Sequence, residues 1–422
     1  MGTGLEDIEW TELRREAPPR ELDLAPLRGE LDRFSRERLG EGARVGVAVG
    51  SRGISRVAEV VEATVAALRA GGSEPVLVPA MGSHGGATGP GQVEVLRELG
   101  VRAEHLGVGV DASMEVAEVG RVSSGQAVYV AKAALACDAV VPVNRVKPHT
   151  DFRAQVESGL TKMLTIGLGK ELGASSLHSA GFGAFAQVLP EALEKVLAAL
   201  HVPFGVALVE DAWHRLALAE VVPGDRIGER DAALLEEAWA RFGSLPFDEV
   251  DVLVLKEMGK TVSGAGMDPN VTGRFPYAAL PARTHAGRLA VLDLRDDSGG
   301  NAIGVGVADV VTERLRNKID WAATYANAMA SKALAGARLP MVAHSDAEAL
   351  SLAFGSVVGG GNRAAALANT LEVAHLAVTA PLVKSALAAG YEVVGSPARA
   401  VFTRAGQLVR IGGVEFFGRE PE

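Results

Sequence analysis

The first half of the chain alternates short apolar runs with segments of helical periodicity. Residues 43–50, ARVGVAVG, form a continuous apolar run typical of a buried strand, and residues 54–72 repeat apolar positions every three to four residues before a glycine stop. The same plan recurs through EPVLVPAMGSHGG, through DAVVPVNRV and through FGVALVED at 204–211. Strands that alternate with helices predict an α/β fold with a mostly parallel sheet covered by helices.

A second strand-loop unit follows the charged segment that ends in FGSLPFDEV. Residues 251–260, DVLVLKEMGK, hold a short apolar run followed by a polar loop and predict a new strand-loop unit, and ALANTLEVAHLAVTAPLVKSALAAG predicts a helix. We therefore predict two domains, as the length of 422 residues also favours. They are an N-terminal catalytic and cofactor-binding domain at 1–245 and a smaller α/β domain at 246–400, with the active site in the cleft between them. A strand pair at 401–422 could belong to either domain.

Composition narrows the class of protein. The net charge of -10, with no basic stripe, argues against a nucleic-acid partner. No stretch of 18 uncharged apolar residues occurs, so we expect no membrane span, and the charged N-terminus does not resemble a signal peptide. The single cysteine, Cys137, cannot form an internal disulfide, so we expect a cytoplasmic protein.

Three loops that follow predicted strands carry the polar residues of interest. Arg52 lies in GSRG, His84 in GSHGG and His149 in KPHTDF. Ligands of parallel sheets bind at the carboxyl ends of the strands, so these side chains should share one rim. Two histidines there could act as a general acid and a general base near neutral pH. The alternatives are a helix cap for His84 and a helix-start histidine paired with Asp151 for His149.

The segment 158–178 holds two further candidates. Lys162 has apolar neighbours along a predicted helix, so it is either a lysine that extends to the surface or a desolvated amine used as a covalent tether. His178 lies 16 residues later and could be a single protein ligand to a metal. One histidine cannot hold a transition metal alone, so most donors would have to come from a cofactor.

In this order and spacing, Arg52, His84, His149, Lys162 and His178 resemble the nickel-dependent lactate racemase family. The resemblance implies a nickel-pincer nucleotide, a pyridinium-3,5-bisthiocarboxylic acid mononucleotide with nickel, attached covalently at Lys162. It implies nickel coordination by His178, acid–base roles for His84 and His149, and substrate binding by Arg52. The same loops would contribute the remaining cofactor contacts, which are Ser51, Gly82, Ser83 and Thr150.

The second domain departs from that family at the substrate. KEMGK would supply Glu257 and Lys260, with glutamate where the family has glutamine, and the following loop adds Asn270 and Arg274. These four residues are predicted substrate contacts, although Asp-Pro-Asn is also ordinary turn chemistry. We therefore expect a larger, more polar substrate than lactate.

The resemblance implies an isomerase, a racemase or epimerase of a 2-hydroxy acid that works by proton-coupled hydride transfer through a 2-keto acid. The partners expected are the substrate and the enzymes that make the pincer cofactor, with a monomer or homodimer as the assembly. Two other classes stay open. A nicotinamide-dependent dehydrogenase lacks support, because GSRGIS does not complete G-x-G-x-x-G. A non-catalytic carrier or sensor would need Lys162 and His178 but not both His84 and His149.

Overall fold

The computed structural model describes residues 7–51, 53–276 and 280–417. The strands are β1 (Glu9–Arg14), β2 (Arg44–Val49), β3 (Glu74–Pro79), β4 (Gly109–Val110), β5 (Val116–Arg121), β6 (Ala127–Ala131), β7 (Ala139–Arg145), β8 (Phe204–Glu210), β9 (Leu216–Pro223), β10 (Glu249–Met258), β11 (His285–Leu294), β12 (Val310–Thr312), β13 (Met341–Ala343), β14 (Ala364–Leu367), β15 (His375–Thr379), β16 (Glu392–Val393), β17 (Ala398–Arg399), β18 (Val401–Phe402), β19 (Leu408–Ile411) and β20 (Val414–Glu415).

The helices are α1 (Ala25–Arg38), α2 (Val57–Ala70), α3 (Gly89–Glu98), α4 (Ala103–Leu106), α5 (Lys132–Leu135), α6 (Gly159–Lys162), α7 (Lys170–His178), α8 (Phe185–Ala199), α9 (Ile227–Arg241), α10 (Pro269–Thr272), α11 (Glu313–Asn317), α12 (Trp321–Ser331), α13 (Asp346–Gly355) and α14 (Ala380–Ala388). None of these described helices is long and apolar enough to span a membrane. By contacts the chain divides into a first unit, Pro19–Phe242, and a second unit, Met1–Pro18 with Gly243–Glu422.

The first unit is built on a six-stranded sheet in the order β4-β3-β2-β7-β8-β9. Strands β4 to β8 run parallel along this order, and β9 is antiparallel to β8. A short antiparallel pair, β5 with β6, lies outside the sheet. The predicted α/β class with a mostly parallel sheet is confirmed.

Both faces of this sheet are buried, as its strand sequences predict. Val45, Val47 and Val49 of β2 face a core shared with apolar residues of α1, α2 and α3. Ala48 of β2 and Val140 of β7 face the other core, which α6, α7, α8 and α9 cover. Two buried faces explain why these strands lack polar alternation, and they leave the strand ends as the accessible edge.

The second unit has a larger, mixed sheet in the order β13-β12-β11-β10-β14-β15-β1-β16, with β17 paired to β1. The strands from β13 to β14 are parallel, and β15, β1, β16 and β17 add antiparallel pairs. A separate antiparallel sheet joins β18, β19 and β20.

The chain termini differ from the predicted domain ranges. Residues 1–18 were predicted in the first domain, but β1 pairs with β15 and buries Trp10 in the core of the second unit. The segment 401–422 also belongs to the second unit, where Leu408 and Ile411 share that core with Trp10. The partner of β1 lies some 360 residues along the chain, so no local pattern marks the pairing.

The helix predicted from ALANTLEVAHLAVTAPLVKSALAAG is wrong over most of its length. The chain forms β14, then β15, and only 380–388 is helical. His375 is therefore in a strand, where its Nε2 lies 2.9 Å from Glu12 Oε1 on the neighbouring β1. A short apolar run fits both a helix and a strand, and here pairing with neighbouring strands determined that it forms β14 and β15.

Candidate functional site

The carboxyl ends of β3, β2 and β7 are neighbours in the first sheet, and each leads into a predicted site loop. Ser51 follows β2, His84 follows β3 and His149 follows β7. Arg52 lies outside the described residues. The loops of the two histidines therefore follow β3 and β7, which lie on either side of β2 and are two strand spacings, about 10 Å, apart. This arrangement suits a pair of acid–base groups on opposite sides of one ligand.

The segment 159–178 packs against these strand ends. It consists of α6, a π-helical turn at Met163–Gly167 and α7. Gly82 N donates to Gly167 O at 3.0 Å, and a Cβ on Gly50 would come within 3.2 Å of Met163 Cε. π-helical turns are rare and occur frequently at functional sites. Here the turn offsets α6 from α7 just after Lys162.

Lys162, His149 and His178 surround one group of rings, which we call the aromatic cluster. It comprises Phe152, Phe182 and Phe185. The His149 ring centroid lies 4.4 Å from that of Phe152, and Lys162 Nζ lies 5.8 Å from the same ring. The His178 ring lies 5.7 Å from Phe182. The fold thus brings together three residues that the sequence separates by up to 29 positions.

His178 is held as a neutral imidazole whose Nε2 can donate an electron pair. Its Nδ1 is 2.6 Å from Ala174 O, so Nδ1 must carry the proton and Nε2 keeps its lone pair. Burial lowers the pKa of His178, and the positive charge of Lys162 lowers it further. A neutral imidazole with an available nitrogen is the form that binds a transition metal.

His149 is held mainly through its backbone and its neighbours in sequence. His149 N donates to Glu157 Oε2 at 2.8 Å, and Arg153 Nη1 donates to His149 O at 2.8 Å. Asp151 N donates to His149 Nδ1 at 3.1 Å, which places the proton of the neutral ring on Nε2. The Thr150 hydroxyl donates to the Asp151 carboxylate at 2.8 Å. Burial raises the pKa of Glu157.

His84 has a different environment on an exposed glycine loop. Its Nδ1 contacts the Ser51 hydroxyl, and both its ring and Ser83 are exposed. Gly82 has φ +58°, a conformation that favours glycine, and it starts the turn that presents His84. The buried Gln92 donates from its Nε2 to Gly82 O at 3.0 Å.

Two predicted substrate residues lie at the carboxyl end of β10 in the second unit. Glu257 Oε1 accepts from Arg295 Nη1 at 2.9 Å and from Asn369 Nδ2 at 3.3 Å. Lys260 Nζ donates to Gly264 O at 2.7 Å and lies 3.3 Å from Asn327 Oδ1. Both side chains are thus oriented by neighbours within their own unit.

The other two predicted residues lie in and just after α10. Asn270 is buried in α10, and its backbone N–H donates to the Asp268 side chain that caps this short helix. The Arg274 guanidinium donates to the carbonyls of Val307, Ala286 and Gly287 and forms an ion pair of 2.9 Å with Asp309. The turn explanation of the Asp-Pro-Asn sequence agrees with this geometry. Their predicted contact with substrate stays a prediction.

Several residues that shape the site gave no signal in the sequence. The buried Asp231 of α9 accepts from the backbone N–H groups of Leu160 (3.2 Å) and Thr161 (2.7 Å), at the start of the helix that carries Lys162. Burial raises the pKa of Asp231 to about 6. It lies some 70 residues from that helix, so only the fold connects them. The FGAF sequence at 182–185 could have suggested an aromatic wall, but its partner Phe152 is distant.

In the described ranges, no three His, Cys, Asp or Glu side chains converge as a metal site. No family model and no curated protein matches the chain. Among solved structures, the chain is similar to the lactate racemase apoprotein from Thermoanaerobacterium thermosaccharolyticum, with a TM-score of 0.52 and 14% sequence identity. The match covers 83% of this chain and 95% of that one. At this identity the likeness shows a shared two-domain α/β fold.

Proposed function

We propose that this protein is an isomerase, a racemase or epimerase of a 2-hydroxy acid that uses a nickel-pincer nucleotide tethered at Lys162. The observation that carries the proposal is the convergence of Lys162, His178 and His149 on the aromatic cluster at the strand ends of the first unit. The fold shared with a lactate racemase apoprotein supports the reaction class.

The residues present fit this cofactor. A single neutral histidine, His178, suits a metal whose remaining donors belong to the bound group. Lys162 borders the same aromatic cluster as His178, Lys162 at Phe152 and His178 at Phe182. The rings of Phe152 and Phe182 provide faces that attract a cationic pyridinium ring. We assign the other polar contacts to Ser51, Gly82, Ser83 and Thr150.

When bound, the nickel-pincer nucleotide supplies a hydride acceptor, which gives the 2-keto acid from which either stereoisomer can be regenerated. The protein itself moves the hydroxyl proton. A histidine that takes this proton becomes a cation. In neutral His149 the lone pair is on Nδ1, so a proton would enter there; Nδ1 would then exchange the bond from Asp151 N for an ion pair with the Asp151 carboxylate, 3.7 Å away, which stabilises the charge. His84 on the other side of β2 would serve the opposite stereoisomer, with Ser51 against its Nδ1.

For the substrate we propose a hydroxy acid that is larger and more polar than lactate. Arg52 and Lys260 would hold its carboxylate, since both offer a cation. Glu257, fixed by Arg295 and Asn369, would accept a hydrogen bond from a further hydroxyl group. Arg274 is a weaker candidate, because its guanidinium is already bonded to Asp309 and to three carbonyls, and Asn270 is a weaker one because it is buried in α10.

The test is intact mass and metal analysis of protein produced together with the pincer-biosynthesis enzymes, followed by chiral analysis of a panel of 2-hydroxy acids. We expect a nucleotide-sized adduct on the Lys162 peptide, about one nickel per chain and racemisation of at least one acid. No adduct, from cells that charge a known racemase, would contradict the proposal. An adduct without turnover, unchanged in His84→Gln and His149→Gln, would favour a carrier or sensor.

A further inference from the structure

A buried lysine with no assigned role lies beneath the His84 loop. Lys170 begins α7, is only 1% exposed and has φ +54°, which is unusual for a residue other than glycine. Its Nζ donates to Pro79 O at 2.6 Å and to Gln92 Oε1 at 2.9 Å. Burial lowers the pKa of Lys170 to about 8. Burying an ammonium is costly, so the two hydrogen bonds must offset much of that cost.

Gln92 connects Lys170 to the loop that carries His84. It is fully buried, and its Nε2 donates to Gly82 O at 3.0 Å and to His84 O at 3.3 Å. Because Lys170 can only donate to it, the Gln92 oxygen must face the lysine and the amide nitrogen must face the loop. The lysine therefore fixes which way the amide points. The two carbonyls that it holds bracket Ser83 and His84.

We propose that Lys170 and Gln92 are positioning residues that clamp the loop carrying His84 for proton transfer. The inference rests on the proposed function of His84. The ammonium also reaches the last residue of β3, Pro79, and it belongs to the helix that ends at His178. One buried group thus joins the strand end, the proton-transfer loop and the helix of the metal ligand. Neither residue touches a reacting atom.

The main variant is Gln92→Glu. It keeps an oxygen for Lys170 but replaces the two N–H donors to the loop carbonyls by a carboxylate oxygen, which repels them. In the cofactor-loaded protein we expect kcat to fall roughly 10- to 100-fold on the 2-hydroxy acid it racemises, with KM, adduct mass and nickel content unchanged. Lys170→Met should have a similar effect. Lys132→Met, at an exposed position of the same unit, is the matched control and should match the parent.

A double-mutant cycle tests whether the lysine acts through the amide. In a Gln92→Met background, Lys170→Met should reduce kcat by less than about threefold, because the route to the loop is already lost. Fully additive losses would overturn the clamp.

Hydrogen–deuterium exchange of the apoprotein tests the clamp without any racemase activity. Amides at 82–88 should exchange roughly tenfold faster in Gln92→Glu and Lys170→Met, and those of α2 should not change. Unchanged exchange at 82–88 would overturn this inference even if the protein proves to be a racemase. Faster exchange without turnover in the parent would keep the clamp and reject the proposed function. Loss of the helical circular dichroism signal in both variants would show a general structural role and overturn the positioning role.

Discussion

The two histidines at the rim of the first sheet are held in different ways. His149 packs directly against the aromatic cluster and is tied by Glu157 and Arg153. His84 is exposed, and its position depends on the backbone of a glycine loop that Gln92 holds from below. The difference teaches that the two proposed acid–base groups would be held in unlike ways, His149 by ring packing and backbone bonds to neighbouring side chains and His84 by the geometry of its loop. Substitutions at His84 and His149 should therefore differ in their effect on stability.

The largest loss of activity should come from substituting Lys162, because the proposed cofactor on this residue is needed whichever histidine transfers the proton. Lys162→Ala should remove the cofactor adduct and reduce racemisation by roughly 10⁴-fold or more, because a covalent group cannot be replaced by binding alone. Mass spectrometry of the tryptic peptide and chiral chromatography would measure the two losses. An adduct that persists in this variant would place the tether elsewhere.

Substituting each histidine tests the comparison directly. His84→Gln and His149→Gln should each lower kcat by about 10²- to 10⁴-fold, as expected for loss of a general acid or base. Only His149→Gln should also lower the free energy of unfolding, by about 0.5–1.5 kcal/mol, because its ring packs against Phe152. Urea denaturation of the apoproteins would measure this. Equal destabilisation by both variants would contradict the distinction.

The helix that carries Lys162, α6, is held at its start by the buried carboxyl of Asp231. Its pKa of about 6 lies above the usual value of 3.8, so the protonated form is favoured by folding. The stability it contributes is complete below pH 3.8 and is lost as the pH rises through 6, a change of about 3 kcal/mol. Asp231→Asn should remove this slope, so the stability of the variant relative to the parent should increase between pH 4 and pH 6.5. Parallel curves from urea titrations of the two proteins would refute the assignment.

The smallest loss of activity should come from removing the contact between the Ser51 hydroxyl and His84. Ser51→Ala removes one hydrogen-bonding partner of His84 but leaves the clamp of its loop intact. We expect kcat to fall by only about 2- to 10-fold, the range of a single hydrogen bond. Steady-state kinetics beside Gln92→Glu would measure it. A larger loss in Ser51→Ala than in Gln92→Glu would mean that the side chain, not the loop, fixes His84.

Part of this site could be predicted from the sequence because its determinants are local. A buried strand followed by a polar loop indicates where the carboxyl edge lies, and this predicted one rim for Arg52, His84 and His149. The loops of His84 and His149 do follow β3 and β7, the two neighbours of β2. In the second unit the sequence predicts substrate contacts for Asn270 and Arg274. Asn270 is buried in α10 and Arg274 forms an ion pair with Asp309, and their contact with a substrate stays a prediction.

By itself the sequence determined the alternation of strands and helices and the 16-residue interval between Lys162 and His178. Apolar periodicity and glycine punctuation act over a few residues, so they can be recognised without a fold. Only the tertiary structure decided that β1 joins the second unit, that Asp231 caps the helix of Lys162 and that Lys170 is buried beneath His84. Each of these depends on a hydrogen-bonding partner 70 or more positions away, and burial is a property of the packed chain.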